Sequence, residues 1–295
     1  MIEEDVLLAR FTTLGTGGPA RWFSKPGNLD QLAAALEWAA ERNVHVSVVG
    51  LGSNLLVADE GVDALVLRLA GELATAVAEG DRLLAGGGAP LAVCLHRVRE
   101  ASLGGFEFTC AIPGTVGGGV KMNAGAYGGD IAGVLERALI VSAAGADWRT
   151  PEELGLEYRR SGLYAGEIVA RVEFRLAPKA PEEIKATVAA MQAQRKAAQP
   201  TNKRTFGSVF KNPEHDLTAG RMLEACGLRG YRIGGTQISP RHANFIENAG
   251  GARSADAIAL IAEARQRALD EFGVALEHEV QLLGDLVLPP AGRPV

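Results

Sequence analysis

The chain has few cysteines, and those it has are isolated. Its 295 residues include Cys94, Cys110 and Cys226, which lie far apart and form no CxxC pair. This spacing argues against a disulfide framework or a zinc-thiolate site and fits a reducing compartment, with each thiol expected to be free and buried. The five histidines are also scattered without ligand spacing, so no metal site is predicted.

Signals for membranes and nucleic acids are also missing. No window approaches the roughly 18 consecutive apolar residues of a spanning helix, and the acidic start MIEEDVLLARF lacks an apolar signal-peptide core. The formal net charge of −5 gives no general attraction to nucleic acid or anionic lipid. We therefore expect a cytoplasmic protein that binds neither nucleic acid nor membrane.

The most unusual segment present is residues 104–130, GGFEFTCAIPGTVGGGVKMNAGAYGGD. Its many glycines leave little apolar surface to bury, yet its aliphatic content is too high for a disordered linker. Glycine permits positive φ and close backbone approach, and successive N–H groups in such turns suit phosphate oxygens. The alternative is a set of tight turns between strands, but the repeated motif favours a ligand.

A second glycine loop follows a predicted buried strand at residues 44–49 and reads GLGSNLLV over residues 50–57. It offers backbone N–H groups, a hydroxyl and an amide at one turn, which could bind a pyrophosphate. It is not a P-loop, because GK[ST] occurs nowhere, and it lacks the third glycine of a Rossmann fingerprint. An ordinary turn is the alternative interpretation.

Hydrophobic periodicity and end signals predict several helices and strands. The helix at 29–42 is expected to bury Leu29, Leu32, Ala33, Leu36 and Ala40. Other helices are expected at 90–101, over most of 181–207, and from Ser254 as N-cap to a stop at Gly273. Strands are expected at 65–69, 83–85 and 274–283, and the tail at 289–294 is expected to be frayed.

Five motifs, taken in order, resemble one family. VVGLGSNLLV, the 104–130 stretch, YRRS at 158–161, GSVFKNP at 207–213, and GYRIGGTQIS with HANFI are similar to the bacterial UDP-N-acetylenolpyruvoylglucosamine reductases (MurB). The resemblance covers nearly the whole chain. The two glycine loops are also similar to those of vanillyl-alcohol and cytokinin oxidases, so they imply FAD, whereas the later motifs are particular to the MurB family.

The resemblance implies an α+β fold in which a two-subdomain FAD-binding fold of the vanillyl-alcohol-oxidase-like class, residues 1–70 and 71–178, is followed by a C-terminal α/β substrate-binding domain, residues 179–295. Some relatives have a tyrosine-bearing loop before GSVFKNP. The short path from 181 to 207 leaves little room for it, which places the chain in the shorter subgroup. A monomer is expected.

The implied reaction is the reduction of UDP-N-acetylglucosamine enolpyruvate to UDP-N-acetylmuramate, with NADPH as co-substrate and FAD as cofactor, in peptidoglycan precursor synthesis. This chemistry needs a cation at the substrate carboxylate, further support for the enol-like intermediate, and a proton donor. The alternative is an FAD-dependent oxidase of a small alcohol or sugar, which needs the glycine loops but not this catalytic set.

The resemblance assigns the catalytic set to Arg159, Ser208 and Glu279. Arg159 would hold the carboxylate, because a guanidinium fork suits that group, while the adjacent Arg160 would point elsewhere if the segment is a strand. Ser208 would donate the proton.

Two points of local geometry accompany these assignments. If the segment after Gly207 is extended, Ser208, Phe210 and Asn212 share a face. Glu277 and Glu279 also share a face of the predicted strand, so periodicity cannot choose between them, and only the resemblance selects Glu279.

The resemblance also assigns the binding residues. Those expected at FAD are Gly50, Leu51, Gly52, Ser53, Asn54, Leu55, Pro113, Gly114, Thr115, Gly117, Gly118, Asn123, Gly125 and Arg195. Those expected at the UDP-sugar are Tyr158, Lys211, Asn212, Tyr231 and Gln237.

Overall fold

The computed structural model describes residues 2–292 of the chain, which folds as two compact units. The first unit comprises Met1–Glu4, Trp22–Leu51 and Asp63–Arg195, and the second comprises Asp5–Arg21, Gly52–Val62 and Lys196–Val295. In the described part of the chain, no helix is long and apolar enough to span a membrane. The three-way division expected from the resemblance stays a prediction.

The four helices predicted from periodicity are present. Within residues 2–292 the α-helices are α1 (Leu29–Glu41), α2 (Leu91–Glu100), α3 (Val116–Lys121), α4 (Pro181–Ala198), α5 (Ala219–Ala225) and α6 (Ser254–Phe272). Of these, α3 and α5 were not predicted. Short 3-10 helices lie at Leu8–Phe11, Gly71–Ala74 and Glu107–Ala111. Only residues 199–204 separate α4 from the next strand, Thr205–Ser208, which leaves no room for the extra loop.

The buried face of α1 differs from the predicted one. The structure buries Leu32, Ala35, Leu36 and Ala39, whereas Ala33 and Ala40 are exposed. Positions i, i+3, i+4 and i+7 from Leu32 form a continuous apolar stripe, and this stripe packs in a cluster with strand leucines. Leu32 and Leu36 are buried as predicted, but the prediction was wrong for Ala33 and Ala40 because it started the stripe at Leu29.

A five-stranded antiparallel sheet lies at the centre of the first unit. Its strand order is Gly145–Arg149, Leu135–Ser142, Ile168–Arg175, Arg82–Gly86, Ala76–Glu79. Alternate residues of the long strand pack on opposite sides: Ala138 and Ile140 join the core that includes α2, and Leu139 and Val141 join the core that includes α1. The sheet is therefore covered on both faces, as an enclosed scaffold for loops should be.

Three smaller sheets contain further strands of the first unit. A four-stranded sheet has the order Ile2–Leu7, Pro19–Ser24, Val62–Leu67, Val46–Val48, and two-stranded pairs join Gly125–Ala126 with Gly129–Asp130 and Leu103–Gly104 with Ala177–Pro178. The predicted buried strand at 44–49 is shorter than expected and is not buried, since Val48 is 41% exposed. It lies at the end of the strand order, so only one neighbour covers it.

The second unit has its own sheet and core. The sheet order is Thr205–Ser208, Phe245–Asn248, Thr236–Ile238, Arg232–Ile233, and a separate parallel pair joins Leu55–Val57 to Gln281–Leu283. Phe206, Ile246 and Leu260 lie in one buried cluster with residues of α5 and α6. This core supports the strand that ends at Ser208 and the irregular segment that contains Glu279.

Two predictions about α6 and the strand after it were wrong. Ser254 is the first helical residue and not the N-cap, because carboxylates accept the terminal N–H groups: Asp59 accepts from Ser254, and Asp256 accepts from Arg253. Gly273 ends the helix at φ 68, as predicted. Residues 274–280 are irregular, and only Gln281–Leu283 is strand.

The chain end and the cysteines also differ from expectation in part. The Gly292 N–H donates to Gln266 at 2.9 Å, so the described part of the tail is held, and residues 293 and 294 lie outside the described range. All three thiols are free. Burial raises the pKa of Cys94 to about 12, whereas Cys110 and Cys226 are only partly buried.

Candidate functional site

The two predicted cofactor loops meet at Gly50 and Thr115. A Cβ atom on Gly50 would lie 2.5 Å from Thr115 Oγ1, so this approach requires glycine. Thr115 is also the N-cap of α3, where its Oγ1 accepts from the Gly118 N–H at 3.4 Å. The structure therefore brings together two stretches that are more than fifty residues apart in sequence.

The residues at these loops fit the diphosphate of FAD. Gly52 has φ +64, and a Cβ atom there would collide with the carbonyl of Phe11. The Gly52 carbonyl is fixed by the Thr13 N–H and hydroxyl, each at 3.1 Å. Among residues 2–292, the N–H groups of Leu51 and Gly52 donate to no other group. Consecutive available donors beside a glycine cradle suit phosphate oxygens.

Asn54 links the second cofactor loop to a predicted catalytic segment. Its Nδ2 donates to the carbonyl of Glu279 at 3.0 Å, and its own carbonyl accepts from Gln281 N–H at 3.0 Å. The same segment is joined to the strand of Ser208, because Glu279 N–H donates to the Val209 carbonyl at 2.8 Å. The second unit thus places Ser208 and Glu279 on neighbouring backbone segments.

Ser208 lies at an irregularity in its sheet. Thr205 pairs with Glu247 and Ser208 pairs with Phe245, so the Ser208 strand contains one extra residue. Gly207 in this bulge has φ +85, and a Cβ atom on it would lie 3.3 Å from the Ser53 carbonyl oxygen. Bulges redirect side chains and often lie beside active sites.

The bulge also overturns the predicted shared face. Ser208 is half-buried, Phe210 is 2% exposed and Asn212 is exposed. Val209 and Phe210 are consecutive and both buried, so the expected alternation breaks after Ser208. Asn212 instead accepts from the Ala219 N–H at 3.2 Å, before the first turn of α5.

The two glutamates that periodicity could not separate lie in different surroundings. The Glu277 side chain is 69% exposed and pairs with Lys211 Nζ at 2.5 Å. Glu279 is half-buried and bonds through its backbone to Val209 and Asn54. This difference is consistent with the choice of Glu279, whose catalytic role stays a prediction.

Arg159 lies in a tight turn and not, as predicted, on a strand. Glu157 and Arg160 exchange both backbone hydrogen bonds, at 3.0 and 3.1 Å, around Tyr158 and Arg159. Arg159 has φ 56, so it occupies the third turn position, where a type II turn usually has glycine. A non-glycine residue held there is strained, and such strain is concentrated at functional sites.

Contacts on both sides of this turn hold the Arg159 guanidinium. Its Nη2 donates to the carbonyl of Gly125 at 2.7 Å, and its Cζ lies 5.1 Å from the centre of the Tyr158 ring. Arg160 points elsewhere, as predicted, and forms an exposed pair with Glu157 at 2.6 Å. The first unit therefore brings Tyr158, Arg159 and Gly125 together.

Asn123, predicted as a cofactor residue, is 4% exposed, and its side chain bonds to other parts of the protein. Its Oδ1 accepts from the Ala132 N–H at 2.9 Å, and its Nδ2 donates to the Glu157 carbonyl at 3.1 Å and to Asp130 at 3.4 Å. Arg195 Nη1 donates to the Cys110 carbonyl at 3.5 Å, beside the same glycine-rich stretch.

Two predicted substrate residues in the second unit are already engaged. The Arg267 guanidinium lies over the Tyr231 ring, with its Cζ 4.6 Å from the ring centre. Gln237 donates to the Gly230 carbonyl at 3.1 Å and accepts from Arg232 at 3.0 Å. These contacts hold both side chains in place within the second unit.

Sequence reasoning missed Lys121. Its Nζ donates to the Leu163 carbonyl at 2.7 Å, and its backbone carbonyl accepts from Ser161 Oγ at 2.7 Å. Burial lowers the pKa of Lys121, while the nearby Glu167 acts in the opposite direction. The only available signal was its place in the glycine-rich stretch, two residues before Asn123.

Comparisons with known proteins agree with this geometry. Residues 199–283 match the family described as UDP-N-acetylenolpyruvoylglucosamine reductase, C-terminal domain, and residues 20–146 match the FAD binding domain family. A UDP-N-acetylenolpyruvoylglucosamine reductase from Anaeromyxobacter dehalogenans is 43% identical over 97% of this chain and 86% of its own length. A relative from Symbiobacterium thermophilum, UDP-N-acetylenolpyruvoylglucosamine reductase 2, is 42% identical over 94% and 90%.

A solved structure gives the same result. The crystal structure of UDP-N-acetylenolpyruvylglucosamine reductase (MurB) from Thermus caldophilus has a TM-score of 0.84 and 39% identity, covering 96% of this chain and 100% of that one. The expected α+β FAD-binding fold with an added C-terminal domain is confirmed. Given identity of this level over nearly its whole length, the chain belongs to the UDP-N-acetylenolpyruvoylglucosamine reductase (MurB) family.

Proposed function

We propose that the protein catalyses the NADPH-dependent reduction of UDP-N-acetylglucosamine enolpyruvate to UDP-N-acetylmuramate, a step in peptidoglycan precursor synthesis. The observation that supports this best is the joining of the Ser208 and Glu279 segments by the Glu279 N–H to Val209 carbonyl bond of 2.8 Å. The backbone segments that carry the Ser208 hydroxyl and the Glu279 carboxylate are thereby neighbours, and Asn54 of the second glycine loop donates to the Glu279 carbonyl. FAD, held by the two glycine loops, supplies the hydride-transfer chemistry when bound.

Arg159 binds the carboxylate of the enolpyruvyl group. Negative charge delocalises into that carboxylate as the double bond is reduced, so a fixed cation stabilises the transition state more than the ground state. The Nη2 bond to the Gly125 carbonyl, at 2.7 Å, fixes the position of the guanidinium. A guanidinium stays charged at any working pH.

Ser208 donates the proton that completes the reduction. A serine hydroxyl is a weak acid in water, but the carbon next to the carboxylate becomes strongly basic during the reaction, and a positioned donor contributes about 10² to 10⁴ in rate. Gly207 gives access to the hydroxyl, and Glu279 supplies further support for the enol-like intermediate. Lys211, Asn212, Tyr231 and Gln237, with Tyr158, bind the UDP-sugar.

Anaerobic stopped-flow absorbance of the flavin tests this proposal. The purified protein is reduced with NADPH and then mixed with UDP-N-acetylglucosamine enolpyruvate. We expect fast reoxidation by the sugar, and we expect Ser208→Ala to slow that step by about 10²-fold or more without slowing reduction by NADPH.

Ser142→Ala is the matched control, because Ser142 ends a strand of the first unit and its hydroxyl contacts only a local turn. It should behave as the unmodified protein. Flavin that is reduced but ignores the sugar would overturn the substrate assignment, and rapid reoxidation by air with an alcohol or sugar as reductant would favour an oxidase.

We propose further that the enzyme acts as a monomer in the cytoplasm. The small UDP-sugar and NADPH are soluble, and each predicted catalytic residue comes from this chain. Light scattering after size-exclusion chromatography should give a mass near 30.9 kDa. A mass of twice that value would contradict the monomer.

A further inference from the structure

Four hydrogen bonds connect residues 157–163, which include the turn that presents Arg159, to residues 121–125. Asn123 Nδ2 donates to the Glu157 carbonyl and Arg159 to the Gly125 carbonyl. Ser161 Oγ donates to the Lys121 carbonyl and Lys121 Nζ to the Leu163 carbonyl. All four lie between 2.7 and 3.1 Å. Two of these bonds hold the turn itself, at Glu157 and Arg159, and the other two hold the residues that follow it, Ser161 and Leu163.

Such fixation is needed because the turn is unfavourable on its own. Arg159 has φ 56, a left-handed backbone conformation that is unfavourable for residues other than glycine, and Glu157, Tyr158 and Arg160 supply no glycine. Among the four bonds, the one from Asn123 lies deepest, because its side chain is 4% exposed. It is also the bond that acts on the turn backbone just before Arg159.

We propose that Asn123 is a positioning residue that holds the Glu157–Arg160 turn in the conformation that aims Arg159 at the substrate carboxylate. The inference rests on the proposed function, since it is Arg159 that makes the position of this turn catalytically important. It differs from the predicted role of Asn123 as a cofactor residue: both ends of its amide are bonded to protein, to Ala132 N–H, Glu157 carbonyl and Asp130.

The decisive variant is Asn123→Gly. Asn123 has φ 38, which glycine adopts without steric cost, so the substitution removes the amide and leaves the backbone unstrained. Asn123→Asp is the second variant. Its carboxylate can still accept from the Ala132 N–H but, when ionised, cannot donate to the Glu157 carbonyl. Both variants therefore lose the bond to the turn for different reasons.

Asn248→Ser is the matched control. Asn248 Nδ2 donates to the Leu14 carbonyl at 2.9 Å and its Oδ1 accepts from Gly250 N–H at 3.0 Å, in the second unit. It loses the same kind of side-chain amide to carbonyl bond as Asn123→Gly. A general loss of stability should therefore appear in the control as well, whereas a change in the Arg159 turn should not.

Four measurements on the flavin-loaded enzyme separate positioning from mere stability. Flavin content and the rate of reduction by NADPH should be unchanged in both Asn123 variants. Reoxidation by the enolpyruvyl sugar should slow by about 10- to 100-fold, because a displacement of about 1 Å in a catalytic group has effects of that order. Hydrogen exchange should quicken at the amides of Glu157 and Arg160, which close the turn.

Unchanged exchange at these amides, or unchanged reoxidation in both Asn123 variants, would overturn the inference. So would an equal fall in flavin content, reduction and reoxidation, which would mark Asn123 as a cofactor or stability residue. If the unmodified enzyme is not reoxidised by the sugar, the proposed function fails instead, and the exchange measurement still decides whether Asn123 holds the turn.

Discussion

Arg159 combines an unfavourable backbone position with a fixed side chain. Its φ of 56 is imposed by the turn, and its guanidinium is anchored on the Gly125 carbonyl. Arg159→Lys keeps the charge and the backbone strain but removes the planar fork that matches a carboxylate. We expect the KM for the enolpyruvyl sugar to rise and kcat/KM to fall by about 10²-fold, measured by steady-state NADPH oxidation.

Arg160→Lys provides the comparison within the same turn. The Arg160 side chain is 65% exposed and pairs with Glu157. An exposed ion pair of this kind contributes about 0–1 kcal/mol to stability. We expect Arg160→Lys to leave kcat/KM within about twofold of the unmodified enzyme. Equal effects of the two substitutions would contradict the assignment of the carboxylate to Arg159.

At the scale of single elements, the two glycine loops depend on their contact at Gly50. Gly50→Ala would place a Cβ atom 2.5 Å from Thr115 Oγ1, and the N-cap of α3 would have to move. Because both loops are predicted to hold FAD, we expect the variant to be purified with less than half the flavin per chain, measured from absorbance at flavin and protein wavelengths.

Gly27→Ala controls for the cost of removing a glycine in the first unit. Gly27 is not in the left-handed region, and its nearest neighbour would be the flexible end of Gln31, at 3.4 Å. This variant should retain its flavin. Full flavin content in Gly50→Ala would show that the loop contact is not needed to bind the cofactor.

The elements that could be predicted from sequence are those whose signals are local. α4 and α6 were expected close to their observed bounds because apolar periodicity lies within each helix and Gly273 marks the end of α6. The strand predicted at 274–283 was wrong over residues 274–280. Its alternating residues lie in an irregular segment, which has a single isolated bridge between Phe210 and His278. An alternating pattern of apolar residues shows that one face of a segment is buried, but it does not show that the segment pairs continuously with another strand.

The turn at Arg159 could not be predicted for a related reason. Its sequence contains no glycine, proline or asparagine, which are the residues that announce turns. The turn is bonded instead to residues that are far away in the sequence: Asn123 donates to the Glu157 carbonyl, and Arg159 donates to the Gly125 carbonyl. Its role came from the resemblance alone, as did the choice of Glu279 over Glu277, so both remain to be tested.

At the scale of the whole molecule, stability should depend on pH through a buried histidine. Burial, assisted by the nearby Arg229, lowers the pKa of His242 below its ordinary 6.5. The ring nitrogen Nδ1 accepts from the Asn244 N–H at 3.2 Å, which a protonated nitrogen cannot do. The unfolded chain therefore binds more protons than the folded chain at a pH just below 6.5, and the free energy of unfolding falls as pH falls through this range.

Glu107 acts at lower pH, so the two groups can be separated. Burial alone would raise its pKa, but hydrogen bonds from Lys179 and from backbone N–H groups outweigh that effect and lower it from 4.5. Its contribution to stability is complete above 4.5 and is lost only as pH falls through the lowered value. Between pH 7.5 and 5.5 the histidine is therefore the group to test.

The test is the change in midpoint of thermal unfolding between pH 7.5 and 5.5 for His242→Asn. The asparagine oxygen can still accept from Asn244 N–H but does not titrate in this range, so we expect a smaller fall in midpoint than in the unmodified protein. Its midpoint at pH 7.5 should be lower, because the smaller side chain leaves space where the ring packed against Phe245 and Gly220.

His96→Asn is the control, since that ring is 64% exposed on α2. An equal pH dependence in all three proteins would mean that His242 gains its proton without cost, and burial would then not govern the acid side of the stability curve.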